Sequence, residues 1–435
     1  MKKFLINLGL VVVVAVALAI WVKLPWFAVL ALAVVLGLWL VSTRTGRQSL
    51  SVTGVGIGSM RRRLGSSSVI IIGIAGVVGV LVAMLSMGAG FHKTLASGGS
   101  DDTVIVLRGG SQGEAQSVLA HTDVVAIEQE PGVAHDASGK PMVSGELVVA
   151  ANIKQKGSDE DGNARLRGVG PMAWTLRPDL KIVKGRKFKT GMREIVVGEK
   201  AARQYAGLTV GNSVKLGNQS WKVVGMFAAD NAYGSELWTD RNVLASAYRR
   251  GNSVDSVLLK LTRPGAFDAF NAAVSSDPKL KVEAKTTRKY FADQSAGVSK
   301  VINVVGTVVG VIMAIGAVFG ALNCMFAAVG SRAREIATLR AIGFRGLPVV
   351  VSVMLETMLL ALLGGVLGAV IVWLIFNGYT TSTLQGFTQV VFQFAVTPEL
   401  LWTGLKWALA IGFIGGLFPA VRAARLPVST ALRES

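Results

Sequence analysis

"SRAREIATLRAIGF", residues 331–344, is the stretch on which the reading of the fold turns. It places Arg332, Arg334, Glu335 and Arg340 within nine residues, between two of the most apolar segments of the chain. Residues 301–331 carry no charge, and residues 346–398 carry only Glu356. About 20 apolar residues suffice to cross the hydrocarbon core of a bilayer as a helix. The stretch therefore reads as a polar connector between two spans. Its own pattern is helical: Ile336, Leu339 and Ile342 share one side, while Arg334, Thr338 and Ala341 lie opposite. Gly343 supplies a stop. Two roles fit such a connector: resting at lipid headgroups, or seating in a groove on another protein.

The surrounding composition supports a membrane protein. Of 435 residues, 51% are hydrophobic and only 16% charged, well below the usual quarter. Residues 92–296 hold 28 Lys and Arg and 22 Asp and Glu, an ordinary soluble composition. The remainder holds 17 basic groups and four acids: Glu335, Glu356, Glu399 and Glu434. Most of the net charge of +19 sits beside apolar runs, the pattern of topology-setting charge rather than of a phosphate-binding face. No nucleic-acid partner is expected. Cys324 is the single cysteine, so there is no intrachain disulfide and no thiolate metal site.

Six spans are predicted, at 4–22, 24–43, 66–90, 301–330, 347–377 and 400–421. Pro25 breaks the first two into a hairpin. A cleaved signal peptide has the same opening texture, but a second apolar run follows at once. Lys2, Lys3, Arg44, Arg47, Arg61, Arg62, Arg63, Arg345, Arg422, Arg425 and Arg433 fall on the same side as the connector, whereas residues 377–398 carry no Lys or Arg. Basic loops stay in the cytoplasm, so both termini are expected inside and residues 91–297 outside.

The outside segment alternates short apolar runs with Gly, Pro, Asn and Asp. "DTVIVLRGG", "GELVVAANI", "REIVVG", "NSVKLG", "QSWKVVGMF" and "SVLLKLT" read as strands, "EKAARQYAG" and "RPGAFDAFNAAVSS" as helices. Together they predict a bilobed α+β domain. Its chemistry is sparse. His92, His121 and His135 lie far apart, no Gly-x-Ser-x-Gly elbow occurs, and the Ser-x-x-Lys at Ser276 has turn flanks. No Gly-x-x-x-x-Gly-Lys-Ser/Thr occurs either. No catalytic, cofactor-binding or metal-binding residue is assigned, and a membrane-anchored enzyme is the weakest reading.

Within the spans, Gly306/Gly310, Gly316/Gly320, Gly364/Gly368 and Gly412/Gly416 have the spacing that lets helices approach closely. Glu356 sits near mid-depth, where a carboxylate is costly and either functional or paired with a neighbouring helix. Lys406 is placed to snorkel outward. A secondary carrier needs more polar groups at this depth.

"SRAREIATLRAIGF", the following "LETMLLALLGGVLGAV" and the closing "FPAVRAARLPVSTALRES" resemble the permease region of the FtsX/MacB/LolC-type ABC transporters. The run from "LRGVGP" through "IVVGEKAARQYAGLTVGNSVKLGNQSWKVVGMF" resembles the MacB-type periplasmic core. The resemblance covers roughly residues 60–435 and implies a multi-pass α-helical protein of the bacterial inner membrane. Its parts are an N-terminal hairpin (1–43), a cytoplasmic lead-in (44–65), a first core span (66–90), a periplasmic domain (91–297) and a permease domain (298–435) with a coupling helix at 331–345. The hairpin is an addition to the family's four spans. The resemblance also implies a cytoplasmic ABC ATPase dimer on separate chains and a second permease copy, identical or a sister. Membrane lipids surround the pair, and an adaptor with an outer-membrane component is a further expected partner. Carried over, Arg332, Arg334, Glu335 and Arg340 contact the ATPase, while Ile336 and Leu339 seat the helix. The implied work is mechanotransmission: efflux or lipoprotein and lipid extraction, or alternatively FtsX-like activation of a cell-wall hydrolase.

Overall fold

A computed structural model describes residues 17, 20–60, 64–157, 159–277, 279–385 and 388–425. Most of the expected first span, the cluster Arg61 to Arg63 and the closing run with Arg433 lie outside the described residues. The chain divides into two compact units. A helical unit comprises Met1–Met87, Ile302–Gly378 and Ala395–Ser435, and an α/β unit comprises Gly88–Val301 and Tyr379–Phe394.

The helices that build the helical unit are α1 (Trp26–Ser42), α2 (Arg44–Met60), α3 (Leu64–Ala96), α4 (Thr287–Ser331), α5 (Ala333–Ala341), α6 (Gly346–Phe376) and α7 (Pro398–Arg425). In lipid a helix satisfies its own backbone, which is why these apolar runs are helical throughout. α3, α4, α6 and α7 are each long and apolar enough to cross a bilayer, whereas α1 and α2 pass that test only as a pair bent by 95°. The bend is written in two residues. Thr43 Oγ1 accepts from Gly46 N–H at 2.9 Å, capping α2, and a Cβ on Gly46 would fall 2.5 Å from Leu40 backbone atoms. α2 then lies against α6, burying Ser49, Val52 and Thr53.

Small residues set the spacing of the bundle, because lipid gives helices no hydrophobic reason to associate and van der Waals contact must hold them. Side chains at Gly364 and Gly368 of α6 would come within 2.8 Å of the Ile71 carbonyl and 2.5 Å of the Ala75 carbonyl on α3. Around them Ile74, Val78, Val353, Leu360, Ala408 and Ile411 form one buried cluster. Gly316 and Gly320 of α4 face open space instead. Lys406 departs from expectation. Rather than snorkelling it is buried, donating to the carbonyl oxygens of Leu24 (3.0 Å) and Val22, while the Trp21 indole donates to the Lys406 carbonyl at 2.9 Å. Carbonyls at a helix end lack intrahelical donors, and the ammonium supplies one.

The α/β unit contains β1 (Thr103–Arg108), β2 (Val143–Lys154), β3 (Asp161–Val169), β4 (Lys181–Gly185), β5 (Glu194–Gly198), β6 (Ser213–Leu216), β7 (Gln219–Ala228), β8 (Glu236–Asp240), β9 (Ser256–Lys260) and β10 (Val282–Thr286). They form one mixed sheet in the order β10-β1-β9-β2-β3-β8-β5-β7-β4, with β6 paired to β7. β2 is the hinge of the architecture. Its first half pairs with β9 and its second half with β3, so it serves two separate apolar cores. β11 (Thr380–Gln385) and β12 (Thr388–Gln393) form a hairpin that the sequence reading left with the permease domain. Contacts group it with the α/β unit. Arg165 Nε donates to Thr388 Oγ1 at 3.1 Å, Val391 N–H donates to Ser235 Oγ at 3.0 Å, and Tyr205 Oη donates to Gln389 Oε1 at 3.2 Å.

Gly368→Leu is expected to cost about 1–3 kcal/mol through overpacking against α3, whereas Gly320→Leu should stay within about 0.5 kcal/mol of wild type. Thermal unfolding of the full chain in detergent measures both, and equal tolerance of the two would contradict the close approach of α3 and α6.

Candidate functional site

The connector forms α5, and the structure sorts its residues by direction. Arg332 stands at the N-cap and is buried, with its Nη1 donating to Glu356 Oε2 at 2.9 Å and its Nε to Glu335 Oε2 at 3.2 Å. Glu356 is itself buried, one third of the way along α6. The third wall is α2: a Cβ on Gly56 would lie 3.1 Å from both Arg332 Nη2 and Glu356 Oε2. A Cβ there would press on both side chains and make them give by a few tenths of an ångström, so glycine lets α2 close over the pair undisturbed. Ile336 and Ala337 are also buried, Ile336 in the cluster that includes Met325, Val349 and Val353, and half-buried Leu339 lines a narrow cavity with Ile336, Arg332 and Glu356.

Arg332, which the sequence reading grouped with residues contacting an ATPase, is thus turned toward α6. Removing a guanidinium and a carboxylate from water costs several kcal/mol each, recovered only while they face one another. Arg334, Glu335, Thr338 and Ala341 are exposed, and Arg340 is half-buried. Ile342 was expected beside Ile336. It is 71% exposed, because α5 ends at Ala341 and Gly343 turns the chain with φ +105°.

A second charged cluster, in the α/β unit, has no counterpart in the sequence reading. Arg167 is fully buried and bonds three carboxylates: Glu114 (2.7 and 2.9 Å), Glu146 (2.8 Å) and Glu236 (2.7 and 2.9 Å). Arg177 adds a two-pronged contact to Glu146 at 2.7 and 2.8 Å and lies 4.5 Å over the Tyr233 ring. Ser256 Oγ donates to Glu114, and Trp238 Nε1 to Glu236. Burial pushes the Glu114 carboxyl up, but the Arg167 charge and hydrogen bonds more than offset this and hold it at about 2. Asp255 is opposite in sense. Burial raises it to about 6 against the Val148 N–H it accepts and the charge of Arg250. The three glutamates surround a guanidinium, and among the described residues no group of His, Cys, Asp and Glu could hold a metal ion.

Glu356→Leu should cost about 3–5 kcal/mol by stranding Arg332, and Arg332→Met with Glu356→Leu should recover most of that. Denaturation of the single and double variants tests this; a double variant as damaged as the single one contradicts the pairing. Asp255 has a raised folded pKa, so its contribution is fully present below 3.8 and lost as pH rises through about 6. Asp255→Asn, which keeps an acceptor for Val148 N–H, is expected to stabilise the chain above pH 7 by up to about 3 kcal/mol, with no gain near pH 4. Glu114 runs the other way, its contribution fading as pH falls from 4.5 toward 2. Melting curves from pH 4 to 8 read the Asp255 effect; a gain independent of pH excludes it.

The family model for a MacB-like periplasmic core domain matches residues 67–277, and that for an FtsX-like permease C-terminal domain matches residues 307–428. The chain is 26% identical over 394 residues to a macrolide export ATP-binding/permease protein MacB of Shigella boydii, covering 84% of this chain and 57% of that protein. It is 24% identical over 398 residues to the protein of the same name from Bdellovibrio bacteriovorus, covering 84% of this chain and 58% of the relative. The chain thus spans under two thirds of the length of these relatives. Among solved structures, the periplasmic region of MacB from Actinobacillus actinomycetemcomitans gives a TM-score of 0.34 at 14% identity, covering 44% of this chain and 92% of that one. The extracellular domain of the noncanonic ABC-type transporter YknZ gives 0.33 at 17% identity, covering 42% and 100%. With a MacB-like core domain and an FtsX-like permease domain in sequence, the chain belongs to the MacB/FtsX-type permeases of ABC transporters.

Proposed function

We propose that the chain is the mechanical half of a transporter whose ATPase is a separate cytoplasmic chain. ATP binding closes two ATPase subunits, α5 follows them, and the permease relays that displacement to its α/β unit on the far side of the membrane. Two copies of the permease, identical or sister chains, sit over the ATPase pair in a bacterial inner membrane with both termini inside. The displacement drives efflux or the extraction of a lipoprotein or lipid.

The observation that carries this reading is the Arg332–Glu356 pair under Gly56. A connector that merely floats at headgroups needs no buried ion pair to α6. One that must transmit force does, because a hinge on a flexible loop dissipates the stroke. Supporting it, α4 is a single helix of 45 residues, about 68 Å at 1.5 Å per residue, more than twice the roughly 30 Å hydrocarbon core. On this reading Arg334, Glu335 and Arg340 form the polar face offered to the ATPase, and Arg332, Ile336 and Leu339 hold that face to the spans.

Affinity purification of the full chain from native membranes is expected to bring an ABC ATPase with it. Arg334→Glu should cut its recovery about tenfold while leaving the melting temperature unchanged. Loss of nothing, or purification without any nucleotide-hydrolysing partner, sinks the proposal. Cysteines at positions 334 and 161, placed in a Cys324→Ala background, should be labelled from opposite sides of sealed vesicles.

A further inference from the structure

We infer that the α/β unit carries a binding site for an anionic amphiphile, a carboxylate or phosphate on a short apolar body. The site is a cleft of about 780 Å³ between the turn at Glu114, β2, β3 and the segment after Ala247, within the range of small-ligand pockets. Val148 and Ala150 of β2, with Tyr248 and Tyr290, supply its apolar walls.

Arg165, Arg250 and Lys285 line it, against Glu114 and Asp293. The acids are engaged already: Glu114 by Arg167 and Ser256, Asp293 by Lys285 at 3.8 Å. The arginines are not equally satisfied. Arg165 Nη1 stands 3.6 Å from Glu114 and 3.7 Å from Glu236, and Arg250 Nη2 stands 3.7 Å from Asp255. Those separations give Coulomb attraction without hydrogen bonds, and among the described residues neither guanidinium fork bonds an acceptor through its Nη atoms. Two forks with spare donors at one cleft match an oxygen anion, which accepts two parallel N–H bonds from each. Tyr248 lines the cleft with its ring, while its hydroxyl is buried against Gly217 in the turn between β6 and β7.

Arg165, on β3 beside the strand shared by both lobes, also touches the buried cluster around Arg167. An anion bound to Arg165 draws it from Glu114 and Glu236 and so reports occupancy to the joint between the lobes. This inference stands apart from the ATPase reading, because binding is measured without nucleotide or partner.

The test is calorimetric titration of the full chain in lipid nanodiscs, with empty nanodiscs subtracted, using hexyl phosphate, hexanoate, hexanol and inorganic phosphate. Hexyl phosphate and hexanoate are expected to bind about tenfold more tightly than hexanol or inorganic phosphate. Arg250→Gln should weaken hexyl phosphate about tenfold and Lys285→Gln several-fold, with each variant still unfolding cooperatively; both leave the Arg167 cluster intact. Equal binding of hexanol, equal binding of inorganic phosphate, or unchanged affinity in both variants each overturns the inference.

Discussion

The contact between Arg332 and Glu356 constrains everything around it in the helical unit. A carboxylate in the middle of an apolar helix is tolerable only with a cation against it, and the cation available is the residue that starts the connector. That single requirement fixes where α5 begins, draws it onto α6 and leaves little room for a side chain at position 56 of α2. Three segments far apart in sequence are thereby held as one piece. The polar face of the connector is left to point outward, because the residue that could have competed for it has been spent inward.

The same logic recurs in the α/β unit on a larger scale. Arg167 and Arg177 with Glu114, Glu146 and Glu236 lie on β2, β3, β8 and the turns beside them, where the two apolar cores adjoin. Apolar packing alone is tolerant of sliding, whereas a guanidinium bonded to three carboxylates is not. A buried ionic joint thus sets the relation of the lobes while each lobe keeps its own oily interior. Aromatic rings of Tyr233 and Trp238 cover the joint and keep water from it.

The hairpin β11–β12 and the Lys406 contact show polar groups used in the same economical way. Gln389 and Thr388 accept bonds from Tyr205 and Arg165, and Val391 N–H donates one to Ser235, so a loop between two spans belongs to the α/β unit by its contacts. Lys406 saturates carbonyls at the end of the preceding hairpin helix instead of seeking headgroups. In both cases the bond partners lie well over a hundred residues away along the chain.

The amino-acid sequence alone determined the four core spans, the division into an apolar part and a charged part, and the strands β1, β2, β5, β6, β7 and β9, because those signals are runs and periods of hydrophobicity. It also carried the family through the order of short motifs. Strands β3 and β8 escaped it: "DGNARLRGV" and "ELWTD" look too charged for a core, since Arg167 and Glu236 are buried only by virtue of each other. The direction of Arg332 escaped it for the same reason. A local pattern records whether a residue dislikes oil, but only the tertiary fold decides whether an opposite charge will meet it there, and burial of a charge is a property of the pair.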